Sequence, residues 1–97
     1  MNQLQISEAA CQDLDEISEY FLTRNINAGE KFFQEFNQKC QYLAKFPAMG
    51  RIYPSIRIDL RGLPIHGYII LYRITKESKL EIVRVINGRQ DIDSLFN

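Results

Sequence analysis

Residues 2–7, NQLQIS, alternate between polar and apolar, with Leu4 and Ile6 on one side and Gln3 and Gln5 on the other. A period of two predicts a short strand with one buried face. The period changes after Ser7. Ser7 has the chemistry of an N-cap, and Glu8 follows in a first turn where the helix dipole favours an anion. Ala10, Leu14, Ile17 and Phe21 then recur at spacings of four, three and four, with Cys11 and Leu22 beside them. They predict a helix over about 8–24 with a single apolar stripe. Asp13, Asp15, Glu16 and Glu19 read as its solvated acidic face.

RNINAGE interrupts that pattern. Asn27 followed by Glu30 fits an N-cap with its reciprocal partner, so a second helix is expected over roughly 28–46. Its stripe is Phe32, Phe36, Cys40 and Leu43, widened by Phe33 and Ala44. A Phe-rich stripe of this spacing is core. The short link favours an antiparallel helical hairpin. FPAMGR closes the helix, because Pro47 cannot continue it and Gly50 supports a turn.

Three extended runs follow. SIRIDLRG at 55–62 sets Ile56, Ile58 and Leu60 against Arg57, Asp59 and Arg61. GYIILYRI at 67–74 is apolar on both faces apart from Arg73, the pattern of a central strand. KLEIVRVIN at 79–87 alternates less cleanly, with Leu80, Ile82, Arg84 and Ile86 on one side and Glu81, Val83, Val85 and Asn87 on the other. TKES is a hairpin-length connection between the last two runs, and LPIHG, with Pro64 and Gly67, reads as the link before them. Asn87-Gly88 would suit a hairpin turn, but only a short tail remains, so it reads as the end of the strand. DIDSLFN reads as one helical turn capped by Asp91 or Asp93. The order is β-α-α-β-β-β. Two antiparallel helices stacked on one face of a small, mostly antiparallel sheet make an α+β fold, with residues 1–97 as one domain.

Composition narrows the function. Twelve basic and twelve acidic side chains give a net charge of zero, whereas proteins that live on nucleic-acid phosphates carry a basic excess. No apolar run spans a bilayer, and the first residues lack the basic and apolar regions of a signal peptide, so a cytoplasmic protein without a membrane partner is expected. Cys11 and Cys40 have no metal-ligand spacing and read as reduced, partly buried thiols. No metal and no cofactor are expected. His66, the sole histidine, lies in a turn. There is no Gly-rich phosphate loop and no Ser-His-Asp set for that histidine to complete.

The arginines carry more. Arg57 and Arg61 are four apart on one expected strand, Arg73 and Arg84 fall on the next two, and Arg51 and Arg89 flank the sheet. Two readings stand: a basic patch that recognises anions through planar guanidinium forks, or surface ion pairs with Asp59, Glu77 and Glu81.

ACQDLDEISEYF, FFQEFNQKCQYLAKFPAMGR, LRGLPIHGYIILYRI and EIVRVINGRQD occur in that order. Over about residues 8–91 this series resembles the ParE-like toxins of the RelE/ParE superfamily, the toxin halves of bacterial toxin–antitoxin modules. The shared features are an acidic first helix with DL-x-x-I-x-x-Y/F, a second helix ending in L-x-x-x-P-x-x-G-R, a Y-x-I-x-Y-R strand and a final strand entering x-G-R-x-D. The resemblance implies two N-terminal helices on a small antiparallel sheet. It also implies a cognate antitoxin, ParD-like and of the ribbon-helix-helix type, whose flexible tail folds on the toxin. This chain alone is not expected to bind DNA specifically.

The resemblance leaves two activities. RelE-like members cut mRNA in the ribosome, which takes acid/base chemistry. ParE-like members are associated with inhibition of DNA gyrase, which needs no catalytic group. The matching C-terminal region here has Asn87, Arg89 and Phe96, and many family members have His where Asn87 stands. Asn cannot shuttle a proton near pH 7, and Phe has no hydroxyl. The expectation is therefore a binding inhibitor of gyrase rather than an enzyme, with Arg51, Arg57, Arg61, Arg84 and Arg89 as target contacts and no catalytic residue. The alternatives are a ribosome-dependent mRNA endonuclease and a degenerate homologue that binds an antitoxin without poisoning anything.

Overall fold

A computed structural model describes residues 4–53 and 57–89. The elements are β1 (Leu4–Ile6), α1 (Glu8–Arg24), α2 (Ile26–Lys45), β2 (Arg51–Ile52), β3 (Leu60–Ile65), β4 (Tyr68–Ile74) and β5 (Leu80–Asn87). The strands form one sheet in the order β1-β5-β4-β3-β2. β2 through β5 pair antiparallel with their neighbours, and β1 pairs parallel with β5. The α+β architecture is as the sequence implies, with β2 an additional strand.

The first helix has the expected bounds. Ser7 caps it by accepting the Ala10 N–H at 3.0 Å, while its own N–H and hydroxyl donate to the carbonyls of Ile82 and Val83. One residue thus starts α1 and pins it to β5. The second helix starts earlier than expected. Asn25, not Asn27, is its cap, accepting the Ala28 N–H at 3.0 Å, and it is also the C-cap of α1. The helices are therefore joined through a single residue.

Helices and sheet share a core of Ala10, Ile17, Phe32, Phe36, Cys40 and Leu43 against Leu63, Ile65, Ile70, Tyr72, Leu80, Ile82 and Val85. Phe32 is its aromatic centre, meeting Phe21, Phe33, Phe36 and Tyr68 at centroid distances of 5.1–6.5 Å. A second cluster, Leu60, Leu71 and Ile86 with Tyr53, Ile69 and Val83, fills the opposite face of the sheet. Two buried faces explain why β4 reads as apolar on both sides.

Further expectations are corrected. The run at 55–62 is not one strand. Arg57 accepts the Leu60 N–H to close a turn, Ile58 is 89% exposed, and β3 begins at Leu60; Ile56 lies outside the described residues. LPIHG is not the link, because β3 runs on to Ile65 and only His66 and Gly67 turn the chain. Both have positive φ, 43° and 80°, as a two-residue hairpin requires. Pro64 is tolerated because β2 pairs only with Arg61 and Gly62, so β3 is an edge beyond them. In β5, Leu71 pairs with Arg84 but Tyr72 with Ile82, so a β-bulge shifts the register. Ile82 and Val85 consequently join the helix-side core while Ile86 faces the other way, which accounts for the imperfect alternation. Lastly, Leu4 and Ile6 are more than a third exposed, since three residues at a sheet edge gain little cover, and Cys11 is exposed while Cys40 is buried.

Among the described residues no helix is long and apolar enough to cross a membrane, and no group of three His, Cys, Asp or Glu side chains is placed to hold a metal. The helical turn read into DIDSLFN lies outside the described residues, as does Phe96.

Candidate functional site

The segment from Pro47 to Arg51 is held from beneath by the sheet. Tyr72, fully buried on β4, donates its hydroxyl to the Pro47 carbonyl at 2.8 Å and accepts the Gly50 N–H at 2.7 Å. A buried phenol needs partners, and this one finds both in a loop. Burial raises its pKa, offset in part by the Gly50 bond and by nearby Arg61. Arg61 donates Nη1 to the carbonyls of Ala48 and Gly50 at 3.1 and 3.0 Å. A Cβ on Gly50 would lie 2.6 Å from the Tyr72 hydroxyl and 2.9 Å from the Gly62 carbonyl, so only glycine fits.

This clamp presents Arg51 and Ile52, both exposed, on β2. The Arg51 guanidinium stands 5.6 Å from the centroid of the Tyr53 ring. Arg57, in the turn before β3, pairs with Asp59 at 3.3 Å. Arg51, Arg57 and Arg61 therefore belong to the same end of the sheet but are not brought together: Arg61 pairs with Ile52 and faces the helix side with Tyr72, Arg51 pairs with Gly62 and faces the other side with Tyr53, and Arg57 lies in the turn before β3.

The other two expected contacts lie elsewhere. Arg84, on β5, is bonded to Asp13 of α1 through Nε at 2.7 Å and Nη2 at 2.9 Å, and the same carboxylate accepts the Val85 N–H at 2.9 Å. The Asp13 bond, opposed by desolvation, raises the Arg84 pKa further. Arg89 is exposed beyond β5, where its N–H donates to the Asn87 side chain at 2.9 Å. Arg73 does not join a basic patch. It pairs with Glu81 at 2.7 Å and Asp59 at 3.6 Å, and the Glu81 bond first, then Asp59, raises its pKa. The ion-pair reading thus describes Arg57 and Arg73, whereas Glu77 pairs with Lys79 instead. His66 sits in its turn with its ring against the Glu35 carboxylate.

Asp13 and Tyr72 carry structural roles that sequence reasoning missed. Asp13 is three residues after Ala10 and four before Ile17, on the flank of the apolar stripe, and that spacing was the available signal. For Tyr72 the signal was a hydroxyl inside an otherwise apolar central strand.

The chain is thus a helical hairpin packed on a small mixed sheet, with a Pro-x-x-Gly-Arg loop clamped by Tyr72 and Arg61. The family described as the ParE toxin of the type II toxin–antitoxin system parDE matches residues 4–92. Toxin ParE1 of Mycobacterium tuberculosis, from strains CDC 1551 / Oshkosh and ATCC 25618 / H37Rv, is 30% identical over 89 residues, covering 91% of each chain. A solved structure titled the chromosomal ParDE TA system from P. aeruginosa superposes with a TM-score of 0.73 at 20% identity, covering 90% of this chain and 96% of that one. The chain belongs to the ParE toxin family of type II toxin–antitoxin systems.

Proposed function

We propose that this toxin inhibits DNA gyrase by protein–protein binding and is neutralised by a cognate ParD-like antitoxin of the ribbon-helix-helix type. The match to the ParE toxin family over residues 4–92 is the observation that supports this reading. Arg51, Arg57 and Arg61 give the target a cationic edge, and Arg89 adds a contact beyond β5. Exposed guanidinium groups suit charge-assisted bonding to acidic groups on a protein. Arg84, bonded to Asp13, holds the strand that leads into Arg89. Asn87 stands exposed at the end of β5, and its amide supports binding over proton transfer. The reading requires a cytoplasmic protein and assigns DNA-sequence recognition to the antitoxin.

Expression of the chain without its antitoxin tests this. A DNA-damage response with continuing translation is expected. Rapid translational arrest with mRNA cleavage would show a ribonuclease instead, and unimpaired growth with retained antitoxin binding would show a degenerate toxin.

A further inference from the structure

A cleft of about 340 Å³ opens between α1 and the paired ends of β4 and β5, lined by Asp13, Glu16, Tyr20, Tyr68, Arg84 and Asn87. Its size falls at the lower end of the range for small-ligand sites, about 300–1,000 Å³, which suits a single side chain. Two of its charges are already spent, since Asp13 and Arg84 hold each other in a two-pronged bond and Asp13 also takes the Val85 N–H. This bond makes a fixed floor. What remains is of one kind. Glu16 is exposed on α1 and close enough to Arg84 to add, after Asp13, to its raised pKa, so two carboxylates face one guanidinium in the cleft. Tyr20 and Tyr68 bring two aromatic rings to the same wall, close enough that Tyr20 adds to the rise in the Tyr68 pKa caused mainly by burial.

One ring of the wall already lies under a cation of the chain itself. The protein's own Arg24 places its guanidinium carbon 4.5 Å from the centroid of the Tyr20 ring. A carboxylate in excess of the local positive charge, beside aromatic faces, selects a guanidinium or ammonium group, through a charge-assisted hydrogen bond and cation–π attraction together. An incoming anion would meet two carboxylates, Asp13 and Glu16, against the single guanidinium of Arg84.

We infer that this cleft receives an arginine or lysine side chain of the cognate antitoxin. The inference rests on the toxin–antitoxin reading above, because the antitoxin is the partner that membership of the family implies. Asn87 lines the cleft and accepts the Arg89 N–H, so the site lies beside Arg89, a proposed gyrase contact. Arg51 on β2, Arg61 on β3 and Arg57 in the turn before β3 lie beyond β4 from β5.

The test uses the full chain, with N-acetyl-arginine amide as a probe and the intact antitoxin as the partner. In a titration followed by nuclear magnetic resonance, the probe is expected to bind in the millimolar range and to shift the signals of Glu16, Tyr20, Tyr68 and Asn87. N-acetyl-glutamate amide should leave them in place, and Glu16→Gln should abolish the arginine response. Calorimetry of the antitoxin should show Glu16→Gln weakening binding about tenfold, the scale of one lost charge-assisted contact, with a shallower salt dependence. Arginine binding with unchanged antitoxin affinity would overturn the assignment to the antitoxin. An arginine probe that shifts nothing in the cleft would overturn the site itself. Gyrase inhibition by the free toxin is read separately, so its failure leaves either result interpretable.

Discussion

The Asp13 carboxylate grips the Arg84 guanidinium at two points, 2.7 and 2.9 Å, and joins α1 to a strand 71 residues away in the chain. It also satisfies the Val85 N–H, next to the bulge that reverses the phase of β5. Asp13 thereby fixes which β5 side chains enter the helix-side core. Asp13→Asn keeps the shape but loses the charge-assisted bonds, and is expected to lower unfolding stability by about 1.5–3 kcal/mol, measured by urea titration. Arg84→Lys should also destabilise, because an ammonium cannot reproduce the parallel fork.

The clamp on the Pro-x-x-Gly-Arg loop makes a second prediction. Tyr72→Phe leaves the Gly50 N–H and the Pro47 carbonyl without their partner, at a cost of about 1–3 kcal/mol. Gly50→Ala drives a Cβ against the Gly62 carbonyl as well as the Tyr72 hydroxyl, and backbone yields less readily than a side chain. It should cost at least about 1–3 kcal/mol, the usual range for overpacking. Chemical denaturation of both variants checks the ordering.

Both relationships show where the sequence was legible and where it was not. The helical stripes at Ile17, Phe32, Phe36 and Leu43 predicted the core correctly, because burial follows local period. The turn around Arg57–Leu60 was misread as strand, since Ile58 continued an alternation that a turn hydrogen bond interrupts. The bulge in β5 was visible only as an irregular pattern, because register depends on the partner strand. The local pattern puts Asp13 on a solvated face, and its partners, Arg84 and Val85, are set by tertiary packing rather than by anything nearby in the chain. The arginines gathered only in part, for the same reason.

The two thiols should behave differently. Cys11 is exposed, whereas burial pushes the Cys40 thiol from an ordinary 9.0 up to about 11. At pH 8, iodoacetamide should modify Cys11 alone, as peptide mass spectrometry would show, and Cys40 should react only after denaturation. The raised value also has a consequence for stability. The unfolded chain releases this proton more readily than the folded one, so the contribution is complete below about pH 9 and is lost as pH rises through about 11. Cys40→Ala should remove that part of the alkaline decline, on the order of 2 kcal/mol, compared at pH 8 and pH 11. Tyr68 and Tyr72, also raised by burial, keep a residual slope of the same sign.

The arginine edge predicts a graded loss of target binding. Arg51→Ala and Arg89→Ala remove exposed guanidinium groups and should each weaken gyrase binding by about tenfold, with the loss shrinking at high salt. Arg61→Ala should combine that loss with loosening of the loop, seen as a lower melting temperature, because its bonds run to the Ala48 and Gly50 carbonyls. Surface plasmon resonance across a salt series separates the two effects.

The most direct measurement is a supercoiling assay with purified gyrase, relaxed plasmid and the purified toxin, with a matched reaction containing the antitoxin. The proposed function predicts lost supercoiling and accumulated linear, cleaved DNA, both abolished by the antitoxin. Full supercoiling at saturating toxin, together with cleavage of mRNA on added ribosomes, would contradict it.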